Sequence, residues 1–172
     1  MVSYLFEDAP EPGGVREIAP GVLWLRMPLP MALDHINLYL LEDDDGWWIV
    51  DTGIAIGDTQ SLWETLFESE VLRGKPVKAV VSTHFHPDHT GMAGWLCETW
   101  RVPFYMTEPE YLSGVLFSRT EKEHFTWTSE RYYKRAGYTP AQVARARENF
   151  GGFGAYITPM PTAYRRLVDG QA

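Results

Sequence analysis

Three of the five histidines in this 172-residue chain fall between positions 84 and 89, within Thr83-His84-Phe85-His86-Pro87-Asp88-His89-Thr90-Gly91. They follow directly on Val77-Lys78-Ala79-Val80-Val81-Ser82, a short apolar run whose valine content suggests a buried strand. Where an extended chain leaves a strand, side chains two apart point the same way. His84 and His86 can therefore offer neutral imidazole nitrogens to one metal ion. Pro87 turns the backbone, and Asp88 and His89 can aim at a neighbouring position where a second ion could sit. Imidazole with carboxylate suits Zn²⁺, and also Fe or Mn where supply favours them. Thr90, Gly91 and Gly94 let the chain pass tightly into the next helix. The plain alternative is a histidine-rich surface turn, or core histidines bonded to backbone carbonyls; four ligand-type residues at one strand end favour the metal.

Upstream, Pro10, Pro12, Gly13 and Gly14 mark residues 1–20 as an irregular leader, after which residues 21–27 read as an apolar and aromatic strand. His35–Leu41 is a second strand, the acidic turn Glu42-Asp43-Asp44-Asp45-Gly46 reverses the chain, and Trp47–Val50 returns as a third, making a hairpin. The aspartates lack the alternating ligands and distal glutamate of a calcium loop, so the turn is expected to be solvated. From Asp58 to Leu72 the positions of Leu62, Trp63 and Leu66 predict a helix, with Asp58 or Thr59 as its cap. Residues 92–100 are a second helix, with Met92, Leu96 and Trp100 on one stripe, and residues 102–106 a further strand. Strand, helix, strand, helix, strand, preceded by an antiparallel portion, gives an α/β class. Beyond Glu108 the chain becomes aromatic-rich helix. Thr139-Pro140-Ala141-Gln142 combines a capping-box pair with proline at the first helical position, and Gly151-Gly152 ends that helix. The aromatics of residues 108–164 could wall a pocket, though core packing or a second subunit uses them equally well, which leaves a homo-oligomer open.

Composition limits the functions available. With 45% hydrophobic and 14% aromatic residues the chain can build a real core. Its net charge of −8 is uneven, −10 over residues 1–107 and +2 over residues 108–172, and the acidic first part would repel phosphates, so nucleic acid is not an expected partner. No apolar run approaches membrane-spanning length, and Met1–Asp8 lacks the basic start and apolar core of a secretory signal; a soluble, cytoplasmic protein with no membrane partner is expected. The single cysteine, Cys97, forms no intrachain disulfide and reads as a small buried side chain.

The segment His84–His89 resembles the His-x-His-x-Asp-His signature of the metallo-β-lactamase superfamily. Trp48-Ile49-Val50-Asp51-Thr52-Gly53 is similar to that family's strand ending in Asp-Thr-Gly, and Asn37-Leu38-Tyr39-Leu40-Leu41 to its early Asn-x-Tyr-Leu strand. The resemblance covers residues 21–107 and implies the N-terminal half of an αββα sandwich, with residues 108–164 as a helical insertion and 165–172 as the start of a truncated second half. It implies His84 and His86 on a first metal and Asp88 and His89 on a second, usually zinc, with Asp51 supporting the ligands from behind. It further implies a metal-held hydroxide as nucleophile, Asp88 handling the proton, and a small-molecule substrate of ester, thioester or lactone-like type. Relatives that hold iron and do redox chemistry, or a non-catalytic half-domain needing a partner chain, are the rival expectations. The family's later histidine, bridging aspartate and final histidine have no counterpart here. His124 reads as a helix-surface residue, Asp169 as a turn residue before an expected hairpin, and His35 as a loop residue that the fold can place at the cleft rim.

Overall fold

The computed structural model describes residues 6–170; the Met1–Leu5 part of the N-terminal reading and the last two residues lie outside them. Seven strands form one sheet in sequence order. Strands β1 (Val15–Ala19), β2 (Val22–Pro28), β3 (His35–Asp43) and β4 (Gly46–Val50) make an antiparallel meander. Strands β5 (Val77–Val81), β6 (Phe104–Met106) and β7 (Arg165–Arg166) then add parallel to it. Parallel neighbours need a crossover. Helix α1 (Thr59–Glu68) supplies the one between β4 and β5, and α2 (Pro87–Thr90) with α3 (Ala93–Trp100) the one between β5 and β6. Helices α4 (Glu108–Ser118), α5 (Trp127–Arg135) and α6 (Pro140–Glu148) follow before β7. The fold class is mixed α/β, as the element order implies.

Period-two alternation places Leu23, Leu25, Met27, Leu38, Leu40, Trp47, Ile49, Val80, Phe104 and Met106 on one buried face. Helices α1 and α3 cover that face and are zipped together by aromatic rings. Phe67 lies 5.5 Å from Trp63, 6.3 Å from Trp95 and 5.0 Å from Trp100. Trp63 is fully buried and donates its indole N–H to the Thr52 carbonyl at 2.9 Å, which ties α1 to the end of β4. On the opposite face Trp24, Tyr39, Val50, Val81 and Tyr105 stand in one cross-strand row and are only half-buried.

Some sequence expectations need correction. The leader expected over residues 1–20 contains β1, an edge strand whose pairing with β2 is interrupted by a bulge between Glu17 and Ala19. Its alternation of apolar and charged residues is too short to stand out beside the preceding prolines and glycines. No hairpin forms at 166–170 among the described residues. Tyr164 stacks on Tyr111 at 3.8 Å, the Tyr111 hydroxyl donates to the Pro161 carbonyl, and the Leu167 N–H bonds the Met106 carbonyl, so this segment is drawn alongside β6. Asp58 stands at the N-cap of α1 without a side-chain cap bond; the Ser61 hydroxyl donates to the Asp58 carbonyl instead. The acidic turn is solvent-exposed as expected, and Lys78 reaches Asp43 at 2.8 Å and Asp45 at 3.0 Å across its surface. The Thr139–Gln142 capping box is present at the start of α6.

Gly94 sits where the returning segment crosses α3, and a Cβ there would lie 1.9 Å from the Pro159 carbonyl oxygen. Since the obstacle is backbone, Gly94→Ala should cost about 2 kcal/mol or more, read as a lower urea midpoint at unchanged slope. Cys97 is buried, and desolvation, with Glu98 adding to it, pushes its thiol up to about 12. The native protein should therefore fail to react with a thiol reagent at pH 8 and react fully once unfolded.

Candidate metal centre

The centre forms where β4 and β5, parallel and adjacent, both end. Open sheets with parallel strands gather ligand-binding residues at the strand C-termini. Beyond β4 comes Asp51, a non-glycine residue in the left-handed region (φ 62°) and only 6% exposed. Beyond β5 come Ser82, Thr83 and the histidines. The Asp51 N–H bonds the Val81 carbonyl at 2.8 Å, which locks the two strand ends together.

The Asp51 carboxylate organises the cluster. It accepts the Thr83 backbone N–H at 2.8 Å, the Thr83 hydroxyl at 2.9 Å and His89 Nδ1–H at 2.8 Å. With its proton committed to Asp51, the Thr83 oxygen accepts from His84 Nδ1 at 3.1 Å. These bonds assign Nδ1–H tautomers to His84 and His89 and leave Nε2 of each as a bare lone pair. The His84 and His89 rings lie 3.8 Å apart, and His84 Nε2 is 3.0 Å from His86 Nδ1, where a donor and an acceptor share one proton. Asp88, on α2, sits 3.4 Å from His89 Nε2. The structure thus brings His84, His86, Asp88, His89 and Asp51 together.

Electrostatics separates the imidazoles. Burial, followed by the neighbouring His89 and His86, lowers the His84 pKa and keeps it a neutral donor. Burial opposes the charged form of His89 too, but the Asp51 bond and charge, with Asp88 beside them, outweigh it and raise its pKa.

The loop is held at several points. The His89 carbonyl accepts from Thr52 N–H at 3.0 Å, the Thr52 hydroxyl at 2.9 Å and the Ser82 hydroxyl at 3.1 Å. Thr90 donates its hydroxyl to the Phe85 and His86 carbonyls. Gly91 is obligatory for the packing, since a Cβ would meet the Gly53 carbonyl oxygen at 2.4 Å. From α4, Glu110 accepts the Phe85 N–H at 2.9 Å. Sequence reasoning assigns no role to Thr83, Ser82, Thr52 or Glu110. Thr83, adjoining the first histidine, is the one whose position alone offers a hint.

Other candidate residues lie elsewhere. His35 contacts Asp34 at 2.6 Å and Arg26 at 3.4 Å, and makes no hydrogen bond to the cluster. His124 closes a short helical turn, its Nδ1 accepting the Glu121 N–H at 2.9 Å, and Asp169 lies in an exposed turn.

Imidazoles backed by a buried carboxylate fit a transition metal in kind. Among the described residues, however, no three or more His, Cys, Asp or Glu side chains are arranged to enclose one ion. The donors fit part of a cage.

Residues 32–163 match the family model of the metallo-beta-lactamase superfamily. A beta-lactamase domain protein from Burkholderia ambifaria is 40% identical and superposes with a TM-score of 0.79, covering 96% of this chain and 47% of that one. A metallo-beta-lactamase family protein from Thermus thermophilus is 29% identical, with a TM-score of 0.65 over 90% of this chain and 48% of that one. A stretch of 50 residues, 29% of this chain and 9% of the other, is 42% identical to a linear primary-alkylsulfatase from a Pseudomonas species. The chain spans about half the length of these solved relatives.

Asp51→Asn keeps the shape and the tolerance of a left-handed backbone but removes the charge. In metal-free protein, NMR titration should show the His89 pKa falling. A raised histidine pKa stabilises the fold fully below its unfolded value of 6.5, and that contribution fades as pH rises through the folded value. Asp51→Asn should therefore flatten this part of the pH–stability curve; an unchanged curve and pKa would refute the role given to Asp51.

Proposed function

The chain belongs to the metallo-beta-lactamase superfamily, and on that premise we propose that it carries the histidine-bearing part of a zinc-dependent hydrolase acting on an ester, thioester or lactone-like small molecule. Members of the superfamily bind metal ions and are mostly hydrolases. The observation that supports the reading is the set of bonds from Asp51 and Thr83 that engages Nδ1 of both His84 and His89, whose rings lie 3.8 Å apart beside His86. The short similarity to an alkylsulfatase is consistent with cleavage of an ester-type bond.

His84 and His86 would hold one ion, and Asp88 with His89 the adjoining position. When bound, the metal supplies Lewis-acid polarisation of the scissile group and a lowered pKa for a water molecule. The chain's own residues do the rest. Asp51 fixes the imidazole orientation, because a ring whose Nδ1–H is anchored cannot flip. Asp88, half-buried beside His89, would take the proton from the attacking water and return it to the leaving oxygen or sulfur. Thr52 and Ser82 clamp the His89 carbonyl, so the base of α2 stays in place through turnover.

A second reading has one observation behind it, the lack of a third converging ligand among the described residues. It makes this chain a half-site whose cage is closed by groups from elsewhere, and it predicts weak, substoichiometric metal.

Elemental analysis of the purified protein, with a hydrolysis panel of esters, thioesters and lactones, tests the proposal. Zinc is expected, and His86→Ala should lower metal content and cut hydrolysis by at least about a hundredfold. Iron in place of zinc would favour redox chemistry. Absence of any transition metal, or unchanged hydrolysis by His86→Ala, would sink the hydrolase reading.

A further inference from the structure

Only one face of the sheet is covered by helices. Helices α1 and α3 pack on the side that carries Leu25, Leu40 and Ile49. On the other side the row Trp24, Tyr39, Val50, Val81 and Tyr105 is only half-buried, and Leu41 beside it is 38% exposed. Parallel strands such as β4 to β7 are as a rule covered on both faces. The polar atoms of the rings on this face are already engaged sideways. Trp24 donates its indole N–H to Asn37 at 2.8 Å, Trp48 donates to Asp43 at 3.2 Å, and Arg165 reaches the Tyr105 hydroxyl at 3.3 Å. A second apolar layer can therefore settle on the rings without orphaning an indole donor. Seven strands about 4.8 Å apart, averaging roughly five residues at about 3.3 Å each, make a face on the order of 600 Å² before side-chain relief. That approaches the ~800 Å² that a stable interface takes from each partner.

His35 supplies a second observation. It starts β3 on this same face, since its neighbour Ile36 packs against the core. Its Nδ1 contacts the Asp34 carboxylate at 2.6 Å, the pairing by which carboxylates hold a metal-ligating imidazole with Nε2 outward, yet it makes no hydrogen bond to the histidine cluster of its own chain. We propose that the uncovered face is packed against a second copy of this chain, about a two-fold axis parallel to the central strand β4, and that the partner's His35 is the third ligand of each half-site. This names the group that the half-site reading above requires; the ligand role rests on the metal reading, and the sheet contact does not. With β4 in the middle of the seven strands, such an axis lays β2 over the partner's β6 and β3 over the partner's β5. It sets Trp24 against the partner's Tyr105 and Tyr39 against the partner's Val81, and it keeps both centres at one edge. Tyr39 and Val81 stand in one row, and β3 and β5 run in opposite directions. His35, four residues before Tyr39, and His84, three after Val81, therefore extend past that row on the same side. Stacked sheets lie about 10 Å apart, a gap that two facing imidazoles with an ion between them can span. An axis across the strands would send the two centres to opposite ends and leave each cage open.

Light scattering of the purified chain over a wide concentration range should give the mass of two chains at the upper end. Trp24→Glu and Tyr105→Glu should each weaken the dimer at least about thirtyfold, as loss of a central aromatic anchor does. Leu116→Glu, at an exposed apolar position on α4, should leave it intact. If neither face variant folds by circular dichroism, the wild type decides: a urea midpoint that rises with protein concentration supports the dimer, and one independent of it refutes it. A monomer at every concentration overturns the inference. Zinc titration of a heterodimer isolated through two affinity tags tests the ligand, one chain carrying His35→Ala and the other His86→Ala. That heterodimer should keep one tight site, made of the cluster of the first chain and the partner's His35. The His35→Ala homodimer should bind zinc at least about tenfold more weakly than the wild type. Tight zinc in the His35→Ala homodimer, no tight site in the heterodimer, or a dimer that binds no zinc refutes the role of His35. A zinc-bound dimer that hydrolyses none of the esters, thioesters and lactones refutes the hydrolase and keeps this inference. Hydrolysis by a chain that stays monomeric does the reverse.

Discussion

The buried carboxylate of Asp51 is the constraint on which the rest of the centre depends. A charge that is only 6% exposed survives in a protein interior because it is hydrogen-bonded on every side, and here its partners are the Thr83 amide and hydroxyl and the His89 ring. Each bond also does something for the partner. Thr83 is pinned at the exit of β5, His89 is fixed in one tautomer, and through the Thr83 hydroxyl the tautomer of His84 follows. One desolvated charge thereby orders two ligand nitrogens.

The placing of that carboxylate is a property of the sheet. Because β4 and β5 run parallel and adjacent, the residues that follow them emerge side by side at the same edge. An antiparallel pairing would have put Asp51 and the histidines at opposite ends. The α1 crossover that makes the pairing possible is secured by Trp63, whose indole bonds the Thr52 carbonyl one residue beyond Asp51. The packing of the hydrophobic core and the geometry of the polar site are joined at Thr52. It receives Trp63 on one side and clamps the His89 carbonyl on the other.

Glycine at positions 91 and 94 lets backbone approach backbone behind the histidines. Thr158, from the segment that returns after α6, bonds the Gly91 carbonyl through both its amide and its hydroxyl. The helical region after residue 108 is thus attached to the centre through three contacts: Glu110 and Phe117 of α4 on Phe85, and Thr158 on Gly91.

Much of this was legible in the amino-acid order. Local patterning fixes β2 to β6, α1, α3 and the capping box of α6, because strand and helix periods and turn chemistry act over a few residues. The close spacing of His84, His86, Asp88 and His89 announces coordination chemistry, because residues two apart at a strand end share a direction. Tertiary structure alone decided what no local pattern carries. It set β1 on the sheet edge and drew residues 165–166 alongside β6 in place of a hairpin. It also closed the bonds between Asp51 and His89, 38 positions apart, and between Glu110 and Phe85, 25 positions apart. Those contacts arise from strand pairing and the desolvation of a carboxylate. Both are energies of the folded whole, which a six-residue motif can invite but cannot specify.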